Sequence, residues 1–299
     1  DVPAPYGRVR RHRPLVSPGG HTCSLFPGAR TYCDPVIDLE SALSTRPEEP
    51  LGDARQALHL GAMRVTILET GRAPGRLGEE YPRYPDMFVS LLSKADQSLA
   101  FDSVALVDGE ALPAASGCEA VIITGSPAGV YDSTPWMDPL RAFIREAFAI
   151  RLPMVGVCFG HQIIADALGG QVGKSHKGWG IGRHTYEITH RLDWMAGVAQ
   201  TLSLSVSHQD QVIAPPEGAV TLARSAHTDH AMLAYTDAPV ISVQGHPEFS
   251  DRFVSALWSA RRGGALTDDQ VDAALESLAH PEDNALVAEW ITRFLRNPR

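Results

Sequence analysis

The chain has 299 residues, 44% of them hydrophobic and 20% charged, enough to bury a core in one large domain or two small ones. Its formal net charge is −9, and Lys94, Lys174 and Lys177 are the only lysines among its 26 basic residues. With no basic face after residue 62, no nucleic-acid partner is expected. No apolar run approaches the roughly 20 residues that span a bilayer, so no membrane partner is expected. The four cysteines, Cys23, Cys33, Cys118 and Cys158, match no zinc spacing. They read as thiols of a reducing compartment, and without a secretory apolar stretch the expected location is cytoplasmic.

Residues 1–62 are rich in Pro, Arg and Gly and show no sustained period of 2 or 3.6. Such a segment buries too little apolar surface to offset its ordering entropy. It reads as a disordered N-terminal extension carrying Cys23, Cys33 and the run RVRRHR at 8–13, which in other settings is a nucleic-acid or targeting arm. Met63 is the first methionine and leads straight into a strand pattern. It is therefore the expected natural start, and 63–299 the expected domain, with helices at its C-terminal end.

In chain order, 64–69 reads as a short buried strand, 85–95 as a helix, and 103–108 and 120–125 as strands. A helix follows at 136–149, a buried strand at 153–158, and a helix at 160–170 closed by Gly169-Gly170. Strands alternating with helices predict an α/β fold, a doubly wound and mostly parallel sheet covered on both faces. The second half changes texture: 184–189, 202–207, 220–224, 231–235 and 240–244 are closely spaced strand patterns. Helical patterns then occupy 251–262, 268–279 and 283–296.

The run Gly156-Val157-Cys158-Phe159-Gly160-His161-Gln162 follows a buried strand and opens a helix. A nucleophile on such a sharp turn sits in strained backbone, and its neighbours favour glycine. Free N–H groups at the helix start stabilise a thiolate, and the Phe159 N–H can donate to an oxyanion beside the sulfur. Taken alone, the motif is equally well read as a core cysteine between packing glycines.

A thiolate nucleophile needs a base, and the base needs an orienting group. Gln244-Gly245-His246-Pro247-Glu248 supplies both at the end of a strand. His246 is delivered to the same sheet edge as Cys158, and Glu248 is near enough to fix its tautomer. A structural histidine and a first-turn acid of the next helix are the plainer readings. Their joint occurrence downstream of the elbow weakens both. An α/β-hydrolase with a cysteine elbow places its acid before its histidine, and no such pairing appears here.

The two runs together, GVCFGHQIIA and later QGHPEF, resemble the class I, triad-type glutamine amidotransferase family over most of 63–250. The resemblance implies a flavodoxin-like α/β fold in a single domain. It implies hydrolysis of the glutamine γ-amide through a Cys γ-glutamyl thioester, with release of ammonia. It assigns catalysis to Cys158, His246 and Glu248, and the oxyanion site to the N–H groups of Gly125 or Ser126 and Phe159. Ser126 stands where the family usually has a second glycine. Gln162 matches the glutamine-contacting residue. Ser207, His208 and Gln209, within Ser207-His208-Gln209-Asp210, match the stretch whose backbone holds the substrate's α-amino and carboxylate groups. No cofactor and no metal are implied.

The implied ligand is glutamine or a γ-glutamyl small molecule. Because no synthase pattern occurs in the chain, either a separate synthase subunit receives the ammonia or the protein works alone. In the second case it resembles stand-alone γ-glutamyl peptidases, which share the CFGHQ elbow. A non-catalytic binding or regulatory module of the same fold is the remaining alternative, and the intact Cys–His–Glu set argues against it. Four features carry less. Tyr131 and Trp136 read equally as a lid or as a helix anchor. His227 and His230 lack a third metal ligand. Cys118 reads as packing, and residues 177–180 as a shaping loop.

Overall fold

A computed structural model describes residues 62–197 and 199–298. The expected N-terminal extension, with Cys23, Cys33 and the arginine-rich run, lies outside the described residues. Chain order begins with β1 (Met63–Glu69), α1 (Leu77–Glu80), α2 (Tyr84–Ala95), β2 (Leu99–Ala105), β3 (Ala120–Ile123) and α3 (Met137–Ala149). It continues with β4 (Met154–Val157), α4 (Phe159–Ala167), β5 (Gln171–Lys174), β6 (Gly180–Ile188), β7 (Thr201–His208) and β8 (Asp210–Ala214). The last elements are β9 (Ala219–Arg224), β10 (Met232–Tyr235), β11 (Val240–Val243), α5 (Asp251–Ser259), α6 (Asp268–Glu276) and α7 (Asn284–Arg296).

Nine strands form one sheet in the order β2-β1-β3-β4-β11-β10-β9-β6-β7, and β5 pairs with β8 in a separate ribbon. From β2 to β11 neighbouring strands are parallel, and from β11 to β7 they are antiparallel. The central strands β3, β4 and β11 are buried along their whole length, as parallel strands covered on both faces must be. Alternation then sorts their side chains. Val65, Ile67, Ala120 and Ile122 pack with Phe88 and Leu92 of α2 and Trp290 and Phe294 of α7. Leu68, Val121 and Ile123 pack on the opposite side with Leu140 and Phe143 of α3 and Ile163 and Ile164 of α4. Helices thus cover both faces, and the fold is the doubly wound α/β sheet that the pattern predicts, flavodoxin-like as the family resemblance implies.

A third apolar cluster joins α2, α5 and α6 through Tyr84, Phe249, Phe253, Trp258 and Val271. The starts of α5 and α6 are set by capping. The Ser250 hydroxyl accepts from the Phe253 N–H, and Thr267 and Gln270 form a reciprocal capping box. One element is displaced from its expected position. The β-branched run at 103–108 reads as a strand, but the strand is Leu99–Ala105 and Leu106–Asp108 is a 3-10 turn. As the edge strand of the sheet, β2 leaves Asp102 and Ser103 exposed, which hides it from an apolar-run criterion. No helix among the described residues is long and apolar enough to cross a membrane.

Candidate active site

Cys158 joins β4 to α4 with φ 53° and ψ −103°, a backbone conformation that L residues avoid. Holding it costs about 1–3 kcal/mol, supplied by the packing on either side. That packing explains the flanking glycines. A Cβ at Gly160 would lie 2.2 Å from the Ile123 carbonyl oxygen, and one at Gly156 would lie 2.5 Å from the Gly160 carbonyl oxygen. The turn is pinned by the Cys158 N–H to the Val243 carbonyl, 2.9 Å, and the Gly160 N–H to the Thr124 carbonyl, 3.1 Å. The elbow is therefore tied by backbone to β11 through Cys158 and to the end of β3 through Gly160.

Strand β11 carries His246 to the same edge. The His246 N–H donates to the Ser205 carbonyl at 2.9 Å, which anchors the turn on β7. The imidazole stacks flat on Phe249, with centroids 3.9 Å apart and planes 7° apart. Its Nδ1 is 2.7 Å from Glu248 Oε1. The ring is buried, as is the carboxylate, whose Oε2 has no partner among the described residues. Burial opposes a charge on His246, but the Glu248 carboxylate and the Cys158 sulfur outweigh it and push the imidazole up to about 10. A protonated imidazole between a carboxylate and a sulfur can deliver a proton to a leaving group at neutral pH.

Gly125 follows β3 and faces both side chains. A Cβ placed there would lie 2.9 Å from His246 Cε1 and 3.7 Å from Cys158 Cβ. The backbone N–H groups of Gly125, Ser126 and Phe159 have no hydrogen-bond partner among the described residues. The Ser126 hydroxyl turns away from the cysteine to donate to the Thr70 carbonyl at 2.7 Å, and it accepts from the Ala128 N–H at 3.1 Å. Ser126 therefore braces its own loop. Phe159 is buried against Trp136, edge to face at 5.6 Å, so Trp136 anchors the elbow helix.

A cleft of about 290 Å³ opens over Cys158. Gln162, Ser207, His208 and Gln209 all line it. The Gln162 amide nitrogen donates to the Asp210 carbonyl at 2.8 Å and to Gln244 Oε1 at 3.2 Å, which ties α4 to the turn between β7 and β8. His208 Nδ1 closes that turn on the Asp210 carbonyl at 2.9 Å, and burial pushes its imidazole down to about 3. Tyr131, 55% exposed, donates its hydroxyl to Asp210 at 3.1 Å on the cleft wall.

Two wall residues, Trp179 and Arg261, carry no sequence signal of their own. Arg261 Nη1 donates to Ser207 Oγ at 2.7 Å, and its guanidinium lies 5.1 Å over the Trp179 ring. Arg261 and Arg262 stand side by side just past the end of α5. Only the return of α5 against β7 reveals that one of them enters the cleft. Elsewhere, His230 Nδ1 meets Thr221 Oγ1 at 2.7 Å, whereas His227 packs against His184 and His208, so the two are not partners.

A strained cysteine at a helix start, a carboxylate-bound imidazole and unpaired backbone donors form a constellation for acyl transfer. The comparisons fit this geometry. The profile described as glutamine amidotransferase class-I matches residues 96–253, more than half of the chain. A glutamine amidotransferase-like protein of Schizosaccharomyces pombe is 32% identical over 179 residues, 59% of this chain and 71% of that protein. Gamma-glutamyl peptidase 4 of Arabidopsis thaliana is 32% identical over 178 residues, 57% of this chain and 69% of that one. A crystal structure of a glutamine amidotransferase from Methylobacillus flagellatus superposes with a TM-score of 0.63 at 26% identity. It covers 78% of this chain and 92% of that one. With profile, relatives and fold in agreement, the chain belongs to the class-I glutamine amidotransferase family.

Proposed function

We propose that the chain hydrolyses the γ-carboxamide of a glutamyl group, with free glutamine as substrate and ammonia as product. Cys158 acts as the nucleophile, His246 as acid and base, and Glu248 as the group that orients and charges His246. The observation that carries this reading is His246 itself, held between Glu248 Oε1 and the Cys158 side chain. The thiolate attacks the side-chain carbonyl carbon, forming a C–S bond. The oxyanion is met by the N–H groups of Phe159 and of Gly125 or Ser126. His246 gives its proton to the leaving nitrogen as the C–N bond breaks, leaving a γ-glutamyl thioester. Neutral His246 then takes a proton from water, which attacks the thioester and regenerates the thiolate and glutamate.

A second reading, a γ-glutamyl peptidase, gains support from the Arabidopsis relative, whose printed name is that activity. The chemistry is the same and only the leaving amine differs. The test is a panel of glutamine, γ-glutamyl dipeptides and glutathione conjugates, each with wild type and Cys158→Ala. We expect hydrolysis by wild type and none by the variant. Turnover retained in Cys158→Ala sinks the assignment. Preference for γ-glutamyl peptides over glutamine, seen in kcat/KM, selects the second reading. A separate synthase subunit remains the proposed acceptor if glutamine hydrolysis is slow alone and rises when a partner docks.

A further inference from the structure

Aromatic rings packed in a core usually meet edge to face or tilted, because their π faces repel one another. The ring pairs among the described residues follow that habit, with planes 44° to 83° apart, at every place but one. The exception is His246 on Phe249, 7° apart with centroids 3.9 Å apart. At that distance the imidazole lies over the phenyl face rather than beside it. A neutral imidazole gains little there that a tilted ring would not gain. An imidazolium gains more, since a cation over a ring face is attracted by the ring's quadrupole, and the attraction grows when water is excluded.

Water is excluded and the ring is held. Phe249 is 2% exposed and His246 3%. The Phe249 carbonyl accepts from Asn284 Nδ2 at 3.0 Å, and the next residue, Ser250, caps α5. Phe253 of α5 meets the ring edge-on at 4.6 Å, and Tyr84 of α2 leans on it at 5.5 Å. A second cavity of about 610 Å³, sharing no residue with the cleft over Cys158, runs between α2 and α7. Phe249 lines that cavity and His246 does not.

The titratable groups around the imidazole come from four places. Glu248 on its own turn and Cys158 at the start of α4 favour the charged ring, while burial opposes it. His208 of β7 is kept neutral by burial and adds no charge. Tyr84 of α2 is a buried phenol held neutral, and Arg261, just past α5, acts on Cys158. Phe249 favours the cation without bringing a charge that must itself be desolvated.

We propose that Phe249 is a positioning residue whose ring face holds the His246 imidazole flat and favours its charged form, so that the proton needed by the leaving nitrogen stays in place. This rests on the hydrolase reading of the Cys158 cleft and adds a group that acts through His246 without touching substrate.

The test separates the electronics of the ring from its bulk. Mono-, di- and trifluorinated phenylalanine placed at position 249 weaken the ring face in steps and change its size little. The His246 titration is followed by NMR on the full-length, histidine-labelled protein, with the resonance identified by its loss in His246→Gln. We expect the midpoint to fall in steps along the series, by roughly 0.4 to 1.5 pH units in all. The alkaline limb of kcat/KM for glutamine should move down with it. Phe249→Leu, which keeps an apolar wall and loses the π face, should show the full fall. The same fluorinated series at Phe253 should leave the midpoint where it is. A midpoint that ignores the series at 249 overturns the proposal, and so does an equal fall from the series at 253. A fall in Phe249→Leu alone overturns it too, since the ring would then be filler. The fluorinated series keeps the test decisive where the leucine variant fails to fold. The titration needs no turnover. A stepwise fall without hydrolysis of glutamine or γ-glutamyl peptides removes the hydrolase reading and leaves the ring its hold on His246. Hydrolysis with a flat titration does the reverse.

Discussion

Strands β3, β4 and β11 are four residues each and buried throughout, whereas β6 and β7 run nine and eight residues and mix buried with exposed positions. The two halves of the sheet meet at β11, which is parallel to β4 and antiparallel to β10. From the parallel half come the ends that carry Gly125, Cys158 and His246, the last two tied by backbone hydrogen bonds to neighbouring strands and Gly125 held through its carbonyl by the Thr70 hydroxyl. From the antiparallel half come the 207–210 turn and, packed against it, Arg261. The difference suggests a division of labour. Rigid, doubly covered strands hold the groups proposed to react, where an error of an ångström is costly. The half with an exposed face holds the 207–210 turn, the stretch that the resemblance assigns to substrate binding.

That division is broken or sharpened first at the reacting groups. Cys158→Ala and His246→Ala should each lower kcat by roughly 10⁴-fold or more, as removal of a nucleophile or its base does elsewhere. Melting temperature should change little for Cys158→Ala, since the strained turn is held by backbone bonds and packing. Gly125→Ala comes next. Its Cβ would meet His246 Cε1 at 2.9 Å, so the imidazole must shift. We expect about 10²-fold loss in kcat with KM near wild type. A variant with normal kcat would show that the oxyanion loop yields easily and is not part of a rigid half.

Much of this was legible in the sequence because the parallel half is built from short, continuous apolar runs. Residues 120–125, 153–158 and 240–244 mark β3, β4 and β11 within two residues. The elbow was legible because its glycines answer a local steric demand, a carbonyl 2.2 Å from a would-be Cβ. What was not legible depends on tertiary return. The edge strand β2 exposes its middle, so the apolar signal sits four residues late. The ribbon of β5 and β8 is held by pairing across some forty residues. Arg261 lies fifteen residues past His246 in sequence, and nothing local separates it from Arg262 beside it. Trp136, readable as a lid, packs on Phe159 because α3 lies against α4 on the same sheet face.

The contrast between halves extends to buried histidines and to pH. His246 has a carboxylate and is raised to about 10. His184 on β6 and His208 on β7 have none, and burial pushes them down to about 4 and about 3. His161 on α4, paired with Ser242, is pushed to about 3 in the same way. A raised histidine contributes stability that is complete below pH 6.5 and lost as pH climbs toward 10. A depressed histidine contributes stability that is present above 6.5 and lost as pH falls toward 4, because the unfolded chain takes up protons the native one refuses. Each neutral histidine should therefore steepen the acid limb by about 1.4 kcal/mol per pH unit. Denaturant melts between pH 7 and 4 check this. His184→Gln should flatten the slope by one proton, and an unchanged slope would mean that His184 is already protonated in the fold.

The smallest expected effect falls on the antiparallel side and tests the division most finely. Ser207→Ala removes the hydroxyl that accepts from Arg261 Nη1 at 2.7 Å, while the Trp179 face beneath the guanidinium stays. Ser207 is only half-buried, so water can replace the lost acceptor and the fold should hold to within ~2 °C in melting temperature. With water taking the place of the hydroxyl acceptor, the net loss is roughly 0.5–1.5 kcal/mol, or about two- to tenfold. If recognition belongs to this half, that factor appears in KM for glutamine and leaves kcat alone. A fall in kcat of the same size would mean that the guanidinium acts on the reacting groups through its proximity to Cys158. The two halves of the sheet would then act as one electrostatic unit.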